Sequence, residues 1–220
     1  MRECIGLDFD RVFESLKEFQ YKAVCKRGRF PEERNIEIWI GLENSYRRLL
    51  VSKVFLGRPP FLRRWAEIFS INSVVHLNGK AFVFVDSGFE DRLLKLYSDF
   101  LAPGESLFIE YLYDRETMKL LELGIPPHLT RLGFKLFELG FTWFKDWYFP
   151  EGFMEGGPKI QAEKPTNENA RDRHVKYLCR EVYENITKIR NLAGNAADGE
   201  MLFRAFRRAI EFNQRYCSEA

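Results

Sequence analysis

The sequence predicts an α+β fold: a mixed, mostly antiparallel sheet flanked by helices, followed by a C-terminal helical hairpin. Three observations carry that reading. Segments in the first third alternate apolar and polar residues with a period of two. Later segments repeat apolar residues every three or four positions. Past Pro165 strand texture gives way to two long helical stripes.

Taken in order, Asp8 to Phe19 places Phe9, Val12, Phe13, Leu16 and Phe19 on one helical face, with Asp8 or Asp10 to cap it. Gln20–Arg27, Ile36–Leu42 and Leu49–Leu56 read as strands, and the turn-forming stretches 29–35 and 43–46 between them predict an antiparallel meander. Gly57-Arg-Pro-Pro60 breaks the chain, and Phe61–Phe69 reads as a short basic amphipathic helix. Ser73–Leu77 and Lys80–Asp86 flank Asn78-Gly79, a strong hairpin signal. A helix over Phe89–Leu101, a strand over Ser106–Tyr113 and a helix over Asp114–Leu123 follow, the last stopped by Gly124. Leu129, Leu132, Leu136 and Leu139 stripe the next helix, which Gly140 ends, while Gly133 is expected to let another backbone approach. Thr142–Phe149 and Lys159–Lys164 are the last strands. Helices over about 167–191 and 201–216, joined by a turn at 194–199, form the hairpin. The expected division is a body over 1–165 and a helical hairpin over 166–220, packed on the body or on a partner subunit.

Composition bounds the function. The 220 residues are 45% hydrophobic and 15% aromatic, with 21 Phe, which argues for a large core and against a disordered, collagen-like or coiled-coil chain. Lys+Arg number 34 against 32 Asp+Glu, and the net +2 resides in residues 166–220, with ten basic and eight acidic residues. That excess is too small to drive nucleic-acid binding, so nucleic acid is not an expected partner. No apolar run reaches the roughly 18 residues of a membrane span. The acid-bearing start Met1-Arg-Glu-Cys-Ile-Gly does not resemble an export leader, so a cytoplasmic location is expected. Cys4, Cys25, Cys179 and Cys217 form no Cys-x-x-Cys pair, and reduced thiols are the expectation in that compartment. His76, His128 and His174 are scattered and make no metal motif.

Four stretches carry a resemblance: Ala81-Phe-Val-Phe-Val-Asp86 before helix 89–101, Ser106-Leu-Phe-Ile-Glu-Tyr-Leu-Tyr113, Leu136-Phe-Glu-Leu-Gly-Phe141, and Thr142-Trp-Phe-Lys-Asp-Trp-Tyr-Phe149. In this order they resemble the GNAT (N-acetyltransferase) superfamily over about residues 20–165, and the chain is also similar to a mainly archaeal family of unknown function. The resemblance implies an acyl-CoA-dependent N-acyltransferase with acetyl-CoA or another acyl-CoA as donor. The acceptor would be a small-molecule or peptide amine. It implies a cofactor loop at Val85, Asp86, Ser87, Gly88 and Phe89, where backbone N–H groups and a helix N-terminus face a pyrophosphate. Two departures stand beside it. The stretch 86–91 holds one Gly and three carboxylates, and the position of the family's acidic Tyr falls at Leu136. The alternative they leave open is a non-catalytic binding module contacting a protein or RNA partner. A second candidate anion site is Gly57–Arg64, with Arg58, Arg63 and Arg64 around the expected helix start.

Candidate chemistry follows from residue type and place. Glu110, on a mostly apolar strand, suits a general base toward an amine, with Tyr113 beside it. The plainer reading is a carboxylate at a solvated sheet edge or paired with an arginine. Trp143, Asp146, Trp147 and Glu151, within the aromatic and glycine-rich stretch 143–157, read equally as an acceptor pocket wall or as core strand plus loop. His128, behind Pro126-Pro127, reads as a surface histidine in the first turn of a helix. Arg204, Arg207, Arg208 and Arg215 read as a solvated helix face, while Phe203, Phe206 and Phe212 suit docking on the body or in a homodimer.

Overall fold

The computed structural model describes residues 6–14, 20–42, 45–55, 63–71, 74–77, 80–83, 88–110, 114–147, 159–193 and 199–217. The architecture is α+β with mostly antiparallel strands, as the sequence predicts. The chain divides into two compact units, Met1–Tyr113 and Asp114–Ala220.

In the first unit a short helix α1 (Asp10–Phe13) precedes the meander β1 (Gln20–Arg27), β2 (Glu33–Leu42) and β3 (Ser45–Phe55). Then come β4 (Trp65–Ile71), the hairpin β5 (Val74–Leu77) and β6 (Lys80–Val83), helix α2 (Phe89–Phe100) and β7 (Ser106–Ile109). The sheet runs β1-β2-β3-β4-β7, with β5 and β6 as a separate two-stranded ribbon. The first three pairings are antiparallel and β4–β7 is parallel, so α2 belongs to the crossover between parallel neighbours. Period-two patterning dictates the buried face: Ile36, Ile38 and Ile40 of β2, Ala66 and Ile68 of β4, and Leu107 and Ile109 of β7 are all enclosed. Each such Leu or Ile side chain contributes about 1.5–3 kcal/mol by burial. Helix α2 buries Phe89, Leu93, Leu94 and Tyr97, and a buried hydrogen bond between the Tyr97 and Ser52 hydroxyls fixes it over β3.

One expectation is corrected in this unit. Phe61–Phe69 is not a helix: from Trp65 the chain is strand, with Ala66 and Ile68 buried and Trp65 exposed. The arginines at 63 and 64 gave the stretch an amphipathic look and hid the alternation that begins just after them. The expected pairing of 73–77 with 80–86 is present, β5 lying antiparallel to β6, and the parallel neighbour of β7 is β4.

The second unit contains α3 (Arg115–Glu122), a 3-10 turn (Pro127–Leu129), α4 (Arg131–Glu138), the antiparallel hairpin β8 (Trp143–Trp147) and β9 (Lys159–Glu163), α5 (Glu168–Ala193), α6 (Gly199–Phe212) and a π turn (Asn213–Cys217). Asp114 caps α3 through the Glu116 amide and ties it to α4 through Arg131 Nε at 2.8 Å. Thr130 caps α4 by accepting from the Gly133 amide. Both expected glycine stops are present, Gly124 at φ 67° and Gly140 at φ 92°. Helices α5 and α6 share one core with α3, α4 and the 3-10 turn, built from Leu120, Leu129, Phe137, Leu178, Val182 and Phe212 among others. Arg204 and Arg208 of α6 both donate to the Glu116 carboxylate, so these arginines hold the last helix against α3.

Reduced thiols are also corrected. Cys179 of α5 and Cys217 of the π turn form a disulfide with Cα atoms 5.6 Å apart. Cys25 is disulfide-bonded as well. Spacing along the chain does not reveal that the last turn folds back onto the buried face of α5.

Candidate functional site

In the first unit the site lies at the Glu110 end of the described part of the parallel ladder. Its register runs from Trp65–Ser106 to Ile68–Ile109, and the Glu110 amide then donates to the Ile68 carbonyl at 2.7 Å. Immediately beyond, β4 carries a bulge: Ser52 of β3 pairs with Ile68 and Val51 with Ser70, so Phe69 is the extra residue. A bulge bends its strand and increases local twist, which turns β4 at the point where its described pairing with β7 stops. Glu110 stands at that point and is 8% exposed, so it is not on a solvated edge. Strand alternation sends its side chain to the face opposite Leu107 and Ile109.

Gly88 is the N-cap of α2 at φ 71°, with no side chain capping that end. Phe89 is wholly buried, 5.6 Å from the Phe13 ring, and serves the core. Glu90 is buried and Asp91 exposed, so two carboxylates occupy the first turn, which the helix dipole favours. Val85, Asp86, Ser87 and Tyr113 lie outside the described residues.

The second candidate anion site is corrected. Arg64 donates from its amide and its Nε to Glu105, whose carboxylate also receives the Ala102 amide at 2.7 Å. Burial alone would raise the Glu105 pKa, but these bonds outweigh it and hold the carboxyl below its ordinary value. Arg63 donates to the Gly104 carbonyl. Both arginines therefore clamp the start of β4 to the α2–β7 loop. Arg58 lies outside the described residues.

In the second unit β8 places Trp143 and Trp147 on one face and Phe144 and Asp146 on the other, so the structure separates the predicted aromatic wall from its acid. For Trp147 only the backbone is described, and Glu151 lies outside the described residues. Asp146 instead acts electrostatically on Glu181 of α5.

The expectation of a surface His128 is overturned, for its ring is 0% exposed. It sits 5.0 Å from the Phe212 ring and 6.4 Å from Phe144. Neither ring nitrogen completes a hydrogen bond, and Nδ1 lies 3.6 Å from Glu181 Oε2. Burial pushes the imidazole pKa down to about 3, against a smaller upward pull from the Leu178 carbonyl. The sequence signal for this was available in outline: Pro126-Pro127 fixes the 3-10 turn, and the Leu-rich stripe beside it belongs to the core.

A cleft of about 480 Å³ lies between the N-terminal segment and α2, with Leu7, Val12, Leu96 and Phe100 apolar and Arg11, Glu14 and Arg92 charged on its walls. Among the described residues no cluster of three or more His, Cys, Asp or Glu is placed to hold a metal. No helix there is long and apolar enough to cross a membrane.

This architecture, a bulged mixed sheet in one unit and a disulfide-tied helical unit beside a strand hairpin, has solved counterparts. The chain belongs to the family described as "Protein of unknown function (DUF1122)", which matches residues 17–189. It is similar to the crystal structure of a protein of unknown function, AQ1966 from Aquifex aeolicus VF5. The two are 38% identical over 87% of this chain and 91% of that one, with a TM-score of 0.65. No curated protein matches.

Proposed function

We propose that this protein is an acyl-CoA-dependent N-acyltransferase with a GNAT-like fold, using Glu110 as general base toward an amine. The observation that carries the reading is the bulge at Phe69, beside the last described rung of the β4–β7 ladder. Bending β4 there would part it from its parallel neighbour and let an elongated thioester carrier meet the backbone, and Glu110 stands at the same rung. A carboxylate so enclosed is suited to taking a proton from an attacking amine. The N-terminus of α2 at Gly88 and Phe89 would face the pyrophosphate.

Calorimetry with acetyl-CoA and with CoA tests the reading. Heat from both is expected, and its absence at about millimolar ligand removes the proposal. Glu110→Gln should keep CoA binding and lower amine acetylation by about a hundredfold.

One observation favours a second reading. Leu136, at the position of the family's acidic Tyr, is wholly buried in α4 and supplies no proton. A CoA-binding module without catalysis would give heat with CoA and no turnover across a panel of amines.

A further inference from the structure

Helical spacing puts Tyr177, Glu181 and Glu184 on one stripe of α5, flanking the face that buries Leu178 and Val182. Tyr177 is 56% exposed and donates its hydroxyl to Glu181 Oε1 at 3.2 Å. Glu184 and Asp146 both act on Glu181 as like charges, and with burial they push its carboxyl pKa up. Among the described residues no Lys or Arg forms an ion pair with Asp146, Glu181 or Glu184. The nearby Arg180 influences Tyr177 and pairs with none of them. Three carboxylates gathered without a cation are unfavourable unless something positive joins them.

An independent observation points the same way. The His128 ring, fully enclosed and without a hydrogen bond, aims Nδ1 at Glu181 Oε2. An unsatisfied buried polar group of this kind calls for a reason, because leaving it unpaired is costly. Here Oε1 is engaged by Tyr177, while Oε2 faces the imidazole at a distance too long for a bond. A carboxylate has about four acceptor positions, so Glu181 keeps capacity for an incoming donor.

We propose that Asp146, Glu181 and Glu184, backed by His128, form a binding site for a primary alkylammonium group. An ammonium can donate to Glu181 while the charges of Glu184 and Asp146 attract it from farther off, and the exposed Tyr177 ring adds a π face. A divalent cation fits less well, since the described acids do not converge as metal ligands. The site stands whether or not acyl transfer occurs, so its test is run without CoA.

Putrescine and N-acetyl-lysine amide, titrated calorimetrically into the full chain, distinguish a free amine from a lysine side chain. Saturable binding of either one is expected. Glu181→Gln and the surface change Glu184→Gln should each weaken it about tenfold, while Asp172→Asn on the same helix leaves it unchanged. Binding by neither probe overturns the proposal, as does an equal loss in Asp172→Asn or an undiminished affinity in folded Glu184→Gln.

Discussion

The backbone of Gly133 runs against the carbonyl of Pro127: a Cβ on the glycine would lie 1.8 Å from that oxygen and 3.0 Å from the His128 amide. The contact is backbone on backbone, so no side-chain rotation relieves it. Gly133→Ala must push α4 away from the 3-10 turn that carries His128. The expected loss is about 3 kcal/mol, the upper part of the usual range for overpacking. Urea unfolding checks it, and a midpoint within error of the parent chain would show that the turn moves freely.

The Cys179–Cys217 disulfide closes a loop with a sequence separation of 38 residues. By the chain-entropy model such a cross-link stabilises by about 4 kcal/mol. Both cysteines are buried beside Phe212 and Tyr216, so the paired change to Ala also loses some packing. Without reductant, the unfolding free energy of the doubly substituted chain should fall below that of the parent chain by about that amount, and equal values would show that the cross-link does not stabilise the fold.

The elements legible in the sequence are those whose local signals agree with tertiary demand. The β1 bounds at Gln20 and Arg27 are as expected, because polar–apolar alternation and turn residues speak for the same ends. Helices α2, α3 and α4 follow from their stripes and glycine stops, and Gly133 was readable as a close-approach position. β4 was not legible, because Arg63 and Arg64 beside Trp65 mimic an amphipathic helix, and their real partners, Gly104 and Glu105, lie some forty positions away. The candidate sites were legible in part. Glu110 and Asp146 stand out as acids on strands. The convergence of Asp146 with Glu181, and of Glu181 with His128, is a product of packing that no spacing encodes.

Glu105 provides a test in acid. Its folded pKa lies below the ordinary 4.5, held there by Arg64 and the Ala102 and Arg64 amides against the opposing effect of burial. A depressed carboxyl contributes stability that is complete above about pH 4.5 and is lost as pH falls through the folded value. Glu105→Gln should therefore lower stability at neutral pH and leave the two proteins converging in acid. Parallel curves would mean that the Arg64 clamp does not couple to folding.

His128 acts in the same direction over a higher window. Its folded pKa of about 3 lies well below the ordinary 6.5. Between those values the unfolded chain holds a proton that the folded chain does not. Stability therefore falls as pH drops from about 6.5 toward about 3, by up to about 1.4 kcal/mol per pH unit. Glu181 opposes this above about pH 4.5, because a carboxyl with a raised pKa takes up its proton in the folded state first. The His128 slope is half developed at pH 6.5 and reaches its full value about one pH unit below. His128→Phe keeps an aromatic ring between Phe144 and Phe212 and removes the titration, so its unfolding midpoint should fall much less than the parent's between pH 6.5 and 4.5. An unchanged slope in the Phe variant would assign the acid sensitivity to other groups and place His128 in contact with water.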